Sequence, residues 1–211
     1  LEILSFSHLS STQLYLIEKI KDGSLKSPIA VICQTQSAGV GSRDNLWIGE
    51  EGNFFASITL DVSALPNDLP LESASIYFSY IMKEILLQYD NDIWLKWPND
   101  FYKNDNKVGG TITKKINDVL VCGIGINLNP SKKSFTHVQS DISPQILLEK
   151  YLVALEKFPK WKHIFSDFEV DFELSKKFSV HIENNRMSLA QAQLCEDGSL
   201  QLAGKKVYSL R

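Results

Sequence analysis

Ile93-Trp-Leu-Lys-Trp-Pro-Asn-Asp100, Lys107-Val-Gly-Gly110 and Gly123-Ile-Gly-Ile-Asn127 follow one another with little between them. Ile93 to Trp97 has strand character and is cut by Pro98, because proline has no N–H to give a ladder. Lys107–Lys114 and Val119–Leu128 read as a hairpin pair joined near Asn117-Asp118. Strands here are mixed with a few long helices elsewhere, without the regular strand–helix–strand spacing of a parallel sheet. The expected class is therefore α+β.

Upstream, Ile3–Phe6 is a short apolar strand candidate. Ser10, Ser11 and Thr12 then offer N-caps to a helix carrying Leu14, Ile17 and Ile20 and stopped near Gly23. Pro28 precedes a buried strand, Ile29–Cys33, and the polar, glycine-bearing stretch Gln34–Trp47 reads as a long loop of the kind that is more often functional than idle. Phe54–Leu60 alternates as a strand should. Leu71–Tyr89 carries a helical stripe of Ile76, Tyr77, Tyr80, Ile81, Ile85 and Leu86. Downstream, Ser143-Pro144 caps a helix to about Glu156, and a second helix spans Lys160–Phe172. From Ser175 the pattern changes to short strands at Ser179–Ile182, Gln191–Cys195 and Leu200–Leu202, with a turn at Asp197-Gly198. That tail is too small to hold a core alone. The expected division is residues 1–174 and 175–211.

The 211 residues, 44% of them hydrophobic and 22% charged, suit one full domain with a small second one and exclude general disorder. A net charge of −3 provides no basic field to steer the chain to nucleic acid. No apolar run approaches the ~18–20 residues of a membrane span, and the start does not read as a secretory signal. Cys33, Cys122 and Cys195 are far apart in apolar stretches, with no C-x-x-C pair and four scattered histidines, so a closed zinc site is not expected. The reading is a reduced, cytoplasmic protein without membrane attachment.

Several clusters carry chemistry. In Gln36-Ser-Ala-Gly39-Val-Gly41-Ser-Arg43, glycines two apart let backbone N–H groups approach an anion, and Arg43 adds a planar charge. The G-x-G-x-x-G dinucleotide fingerprint fails, since Asp44-Asn45 stands where the third glycine is required. Pro98 places Asn99 and Asp100 at a strand's mouth, with Trp97 as an apolar wall and Asp100 suited to a metal–phosphate. Lys107 beside Gly109 and Gly110 suggests anion binding, and Asn127 has an amide able to read a base edge. Each cluster also has a plain structural reading: a glycine turn, a solvated strand end, a hairpin with an exposed lysine, or glycines that permit close packing. Walker A and G-x-S-x-G patterns are absent, which disfavours P-loop nucleotide binding and the α/β-hydrolases.

Taken together and in this order, Ser11-Thr12-Gln13, the glycine loop, Lys96–Asp100, Lys107–Gly110 and Gly123–Asn127 closely resemble biotin protein ligases. The resemblance covers roughly residues 1–130 by motif and the rest by layout. It implies a central mixed sheet flanked by helices, related to the class II synthetase catalytic fold, with a small SH3-like C-terminal domain. It also implies the monofunctional type, without the family's DNA-binding domain, and no DNA partner. The implied activity is ATP-dependent activation of biotin as biotinyl-5′-AMP and its transfer to a lysine of a biotin carboxyl carrier protein. ATP and Mg²⁺ would take part, and edge-to-edge sheet dimers are compatible with the layout. By matching position, Ser11, Thr12, Gln13, Gln36, Gly39, Val40, Gly41, Ser42, Lys107, Gly109 and Gly110 would bind biotin. Arg43, Trp47, Lys96, Asn99, Asp100 and Asn127 would bind ATP or the adenylate, Asp100 with the metal. Lys107 and Asp100 would be catalytic. Rival readings are a lipoate–protein ligase and a non-catalytic biotin-binding sensor.

Two departures stand out. The family loop commonly reads G-R-G-R-x-G-R, whereas this chain has Gly39-Val-Gly-Ser-Arg-Asp-Asn45, and the third residue of the family's S-T-N is Gln13. The arginine that usually closes over the adenylate is Ser42 in register, with Arg43 one place later. If Arg43 replaces part of that charge, Arg43→Ala should speed release of the adenylate and weaken ATP binding. Unchanged ATP affinity and unchanged adenylate release would refute the compensation.

Overall fold

Every residue from Phe54 to Leu60 is buried. The alternation expected of this strand is not realised, because both of its faces are covered. A strand in that position is the middle of a layered structure. The computed structural model describes residues 1–41, 46–129, 136–182 and 185–208. Its main sheet contains β1 (Glu2–Leu9), β2 (Ile29–Val40), β3 (Leu46–Gly49), β4 (Phe54–Asp61), β5 (Ile93–Lys96), β6 (Asp100–Lys103), β7 (Asn106–Ile116) and β8 (Val119–Ile126). The spatial order is β1-β2-β4-β8-β7-β6-β5, with β3 paired to β2. Only β1–β2 is parallel; the other pairs run antiparallel. The mixed sheet agrees with the α+β expectation.

Among the described residues, four α-helices accompany it: α1 (Thr12–Lys21), α2 (Ala74–Leu86), α3 (Pro144–Leu155) and α4 (Trp161–Ser175). On one face of the sheet, Ala56 and Ile58 of β4 and Cys122 and Ile124 of β8 join Ile76 and Met82 of α2, Leu148 of α3 and Phe168 of α4 in the larger core. On the other face lies a smaller core, in which Leu16 of α1 covers Ile29 and Val31 of β2, Ile116 of β7 and Val121 of β8. Burying one such leucine contributes about 1.5–3 kcal/mol. α1 starts where the sequence indicated, with the Ser11 hydroxyl accepting from the N–H of Leu14, and Gly23 beyond its end takes φ +75°.

One expectation is corrected. Gln34–Val40 is not loop: β2 continues through Val40 and folds back on β3, Val40 pairing with Leu46 and Gly39 with Trp47. The ladder with β3 overrides the local turn preference of the glycines. The cysteines divide, too. Cys33 and Cys122 are buried and Cys195 only partly so, and burial pushes the Cys33 thiol up to about 12.

The C-terminal residues form a two-stranded sheet, β9 (Ser179–Ile182) with β10 (Asn185–Ser188), and a three-stranded one, β11 (Gln193–Leu194), β12 (Leu200–Leu202) and β13 (Lys205–Val207). Both are antiparallel. Val180, Leu189, Ala192, Leu200 and Leu202 belong to the larger core rather than to one of their own.

The sheet's outer strand β5 is closed off by α4. The backbone N–H of Leu95 donates to the Asp171 carboxylate (2.9 Å) and that of Trp97 to the Ser175 hydroxyl (3.0 Å). Two strand residues advance about 6.6 Å and four helical residues about 6 Å, so the two acceptors match the two donors in spacing. Asp171 also pairs with Lys83 of α2 at 2.9 Å. Among the described residues, no helix is long and apolar enough to cross a membrane.

Asp90, just after α2, gathers the Lys103 ammonium (2.7 Å) and the backbone N–H groups of Gln139 (2.8 Å) and Asp92 (3.3 Å). Burial pushes its carboxyl up, but the bonds from Gln139, Lys103 and Asp92 outweigh it and hold it below the ordinary 3.8. Because the folded value is depressed, this stabilisation is whole above pH ~4 and is lost as pH falls through the folded value. Asp90→Asn should cost about 2–3 kcal/mol at pH 7, with a smaller difference from the parent in acid. Urea unfolding at pH 7 and at pH 3 tests both points.

Candidate functional site

α1 covers only part of its face of the sheet. Beside its N-terminus the floor is made of β8, β7 and β4, and there the sequence replaces large apolar side chains by glycine and serine. Gly123 pairs with Ser57, and Gly125 pairs with Gly110 across β7–β8. A Cβ on Gly123 would stand 3.2 Å from the Ser57 hydroxyl, and one on Gly125 3.0 Å from the Trp47 indole nitrogen. The absent side chains leave a cleft lined by the first turn of α1, the end of β2, Trp47 of β3, and the Asn99-Asp100 and Lys107 segments.

One end of the cleft is a neutral hydrogen-bond network. Thr12 gives its backbone N–H to the Gln36 side-chain oxygen (2.8 Å), and its hydroxyl lies 3.2 Å from that same oxygen and 2.8 Å from the Ser57 hydroxyl. Gln13 donates to the carbonyl of Ile112 at 3.3 Å. Ser11, Thr12 and Gln13 are all buried. Their polar atoms are therefore held in place by bonds rather than by solvent.

The other end is charged. Lys107 and Asp100 are the one cation and the one carboxylate among the described lining residues, and their Nζ and Oδ1 are 2.6 Å apart. Asn99 ties the turn before Asp100 to β7, donating its amide to the Thr111 carbonyl and accepting the Thr111 N–H at 2.9 Å. The Lys107 ammonium stands 5.8 Å from the Trp47 ring centre. The indole N–H of Trp47 is buried and has no hydrogen-bond partner among the described residues. A buried donor at a cleft wall without an acceptor is costly in the free protein and suits a ligand that brings one.

Of the residues singled out from sequence, Ser11, Thr12, Gln13, Gln36, Val40, Gly41, Trp47, Asn99, Asp100, Lys107 and Gly110 come together here. Four do not line the cleft. Gly39 sits in the β2–β3 ladder. Gly109 is a packing glycine, whose Cβ would meet the Gly125 carbonyl at 2.6 Å. Lys96 lies opposite Asp100 across β5–β6, its ammonium 5.5 Å from the Tyr102 ring centre and 5.9 Å from that of Phe178. The Asn127 amide donates to the Thr136 carbonyl at 3.3 Å. Ser42 and Arg43 lie outside the described residues.

Trp97 is not the apolar wall expected of it. Strand alternation sends Ile93, Leu95 and Trp97 into the larger core, and Trp97 is fully buried there. Sequence reasoning missed Ser57 as a site residue. Its one signal was a small hydroxyl side chain between Ala56 and Ile58 in a largely apolar strand.

With the cleft described, comparison with known proteins is informative. Residues 5–131, more than half of the chain, match the biotin/lipoate A/B protein ligase family. The chain belongs to that family. The Escherichia coli bifunctional ligase/repressor BirA is 34% identical over 127 residues, which is 57% of this chain and 38% of that protein. Biotin–protein ligase 2 of Arabidopsis thaliana is 28% identical over 176 residues, 76% of this chain and 52% of its own length. The chain thus spans about half, or less, of the curated relatives it matches. Among solved structures, the biotin acetyl coenzyme A carboxylase synthetase of Helicobacter pylori with bound biotinylated ATP superposes with a TM-score of 0.93 at 37% identity, covering 98% of this chain and 99% of that one. The Aquifex aeolicus biotin protein ligase in complex with biotin and ATP shares the fold, with a TM-score of 0.78 at 21% identity over 100% of this chain and 96% of that one.

The geometry separates two adjacent glycines of the family motif. Gly109→Ala would drive a Cβ into backbone and should destabilise by about 1–3 kcal/mol. A Cβ on Gly110 meets the Asp100 carboxylate tip at 3.1 Å and the Lys107 ammonium at 3.5 Å, so Gly110→Ala should alter stability by less than about 0.5 kcal/mol. Denaturant midpoints of the two variants test the distinction.

Proposed function

We propose that this chain is an ATP-dependent biotin–protein ligase, which makes biotinyl-5′-adenylate and transfers biotin to a lysine of a biotin carboxyl carrier protein. The observation that carries the reading is the cleft's division into a neutral polar end, built on Thr12, Gln36 and Ser57, and a charged end, built on Lys107 and Asp100. Biotin is divided in the same way: its ureido group is neutral and has donors and acceptors, and its valeryl chain ends in a carboxylate. Support also comes from the family match and from the ligand named for the Helicobacter pylori neighbour.

In the first step a carboxylate oxygen of biotin attacks the α-phosphorus of ATP. The new P–O bond forms as the bond to the β-phosphate oxygen breaks, and pyrophosphate leaves. Two anions must meet, and the Lys107 ammonium offsets their repulsion and the charge that grows on the α-phosphate. Asp100 holds that ammonium in place. Among the described residues no three His, Cys, Asp or Glu side chains gather as a metal cage. Asp100 would hold a magnesium ion brought in with ATP, and the ion would offset phosphate charge there. In the second step the acceptor lysine's amine attacks the acyl carbon, an amide forms and AMP leaves. The amine sheds a proton, and Asp100 would be the carboxylate that receives it. The Trp47 indole would lie along the nucleotide.

The same proposal keeps the division at residues 174 and 175, which falls in the last turn of α4, and a reduced, cytoplasmic setting, which suits three free cysteines. Incubation with MgATP and biotin should give pyrophosphate and the adenylate, followed by mass spectrometry, and addition of a carrier domain should label one lysine. Lys107→Ala should slow adenylate formation by about 10²–10³. Turnover with lipoate in place of biotin would overturn the substrate, and biotin binding without pyrophosphate release would overturn the enzyme.

A further inference from the structure

The turn between β11 and β12 is held from three sides. The Trp161 indole of α4 donates to the Glu196 carbonyl (2.9 Å), the Ser73 hydroxyl before α2 to the Asp197 carbonyl, and the Trp97 indole to the Gly198 carbonyl (2.9 Å). The turn is braced within itself as well. Gly198 donates to the Cys195 carbonyl at 2.7 Å, and the Asp197 carboxylate pairs with Lys206 at 2.7 Å. Gly198 takes φ +80°, and a Cβ there would fall 2.4 Å from the Ser73 hydroxyl, so backbone and space both require glycine.

The third donor is the informative one. Trp97 is fully buried, so its indole N–H needs an acceptor, and the acceptor lies 101 residues away in the C-terminal strands. Two residues after Trp97 comes Asn99, then Asp100, whose carboxylate holds Lys107 at 2.6 Å. From the cleft side the turn is tied by Asn99 to Thr111. From behind it is tied by the Trp97 backbone to Ser175 and by the indole to Gly198.

We propose that the Glu196–Gly198 turn is a positioning element of the adenylation site: through the Trp97 indole it sets where Asn99 and Asp100, and with them Lys107, stand in the cleft. This rests on the ligase reading above. Trp97 and Gly198 touch no substrate in this scheme and act through Asp100. The biotin-facing residues Thr12, Gln36 and Ser57 sit on other strands and on α1, so they are outside the influence of the turn.

The test uses the full chain, with Trp97→Phe, which keeps an aromatic ring in the core and deletes the N–H. Biotin binding by calorimetry should keep a stoichiometry near one and an affinity within about twofold, while kcat for adenylate formation falls by about tenfold or more, the scale on which small misplacements act. A structural role alone would instead lower the biotin stoichiometry in step with activity, and that parallel loss overturns the proposal. Should Trp97→Phe fail to fold, Ser73→Ala removes a different bond to the same turn without entering the core around Trp97, and a loss of kcat of about threefold at full biotin stoichiometry is expected. Unchanged kcat and KM for MgATP in the variant that folds would refute the positioning role alone. No adenylate from the parent chain would overturn the ligase reading and the positioning role together.

Discussion

A broad sheet has two faces to keep from water, and in this protein they are treated unequally. α2, α3 and α4 seal one face with large apolar side chains, including Phe78, Leu148 and Phe168. The other face is given the ten-residue α1, and Leu16 is the α1 side chain at the centre of the small core beneath it. A helix that short cannot span the strands it crosses. The uncovered part of the face must therefore carry residues that tolerate exposure or wait for a ligand. β4, β7 and β8 solve this by changing character along their length, from Ile116 and Val121 under α1 to Ser57, Gly110, Gly123 and Gly125 beside it. The site follows from that incomplete cover.

The cleft is also graded in polarity. Hydroxyl and amide groups around Thr12 satisfy one another at the end near α1, and the Lys107–Asp100 pair stands at the end near β5 and β6. Backbone pairing fixes this gradient rather than side-chain length, since Asp100 pairs with Gly110 and Gly110 with Gly125. Gly110 thus gives room for Asp100 and Lys107, and Gly125 gives room for the Trp47 indole. A ligand with a neutral head and an anionic tail has one orientation in such a cleft, and reaction at the tail needs positioning more than covalent help.

The edge strand β5 links the cleft to the rest of the fold. Its open side meets Asp171 and Ser175 of α4, and Asp171 is neutralised in turn by Lys83 of α2. An exposed edge would invite pairing with other chains; here it is closed by side-chain acceptors. The same strand alternates its side chains between the larger core and the face that carries the cleft. Core packing and cleft geometry are therefore coupled within the few residues from Leu95 to Asp100.

Much of this was legible in the amino-acid order. Helix starts at Ser11 and Ser143, the hairpin turning at Asn117 and the cluster of Lys107, Asp100 and the neighbouring glycines all follow from local chemistry: caps, turn residues, hydrophobic period and motif order. The sequence also pointed to a lysine, Lys107, set among glycines and beside Asp100, and the cleft contains that pair. Tertiary structure alone decided which residues share it. Ser57 joined the cleft and Gly109 left it for the packing beneath Gly125, because membership depends on which face of a strand a residue takes and what lies on the neighbouring strand. Gln34–Val40 became strand because β1 and β3 were there to pair with it. Trp97 went to the core rather than the cleft with the alternation of its strand, but the carbonyl that satisfies its buried N–H comes from Gly198, and no local rule can bring together groups so far apart in the chain.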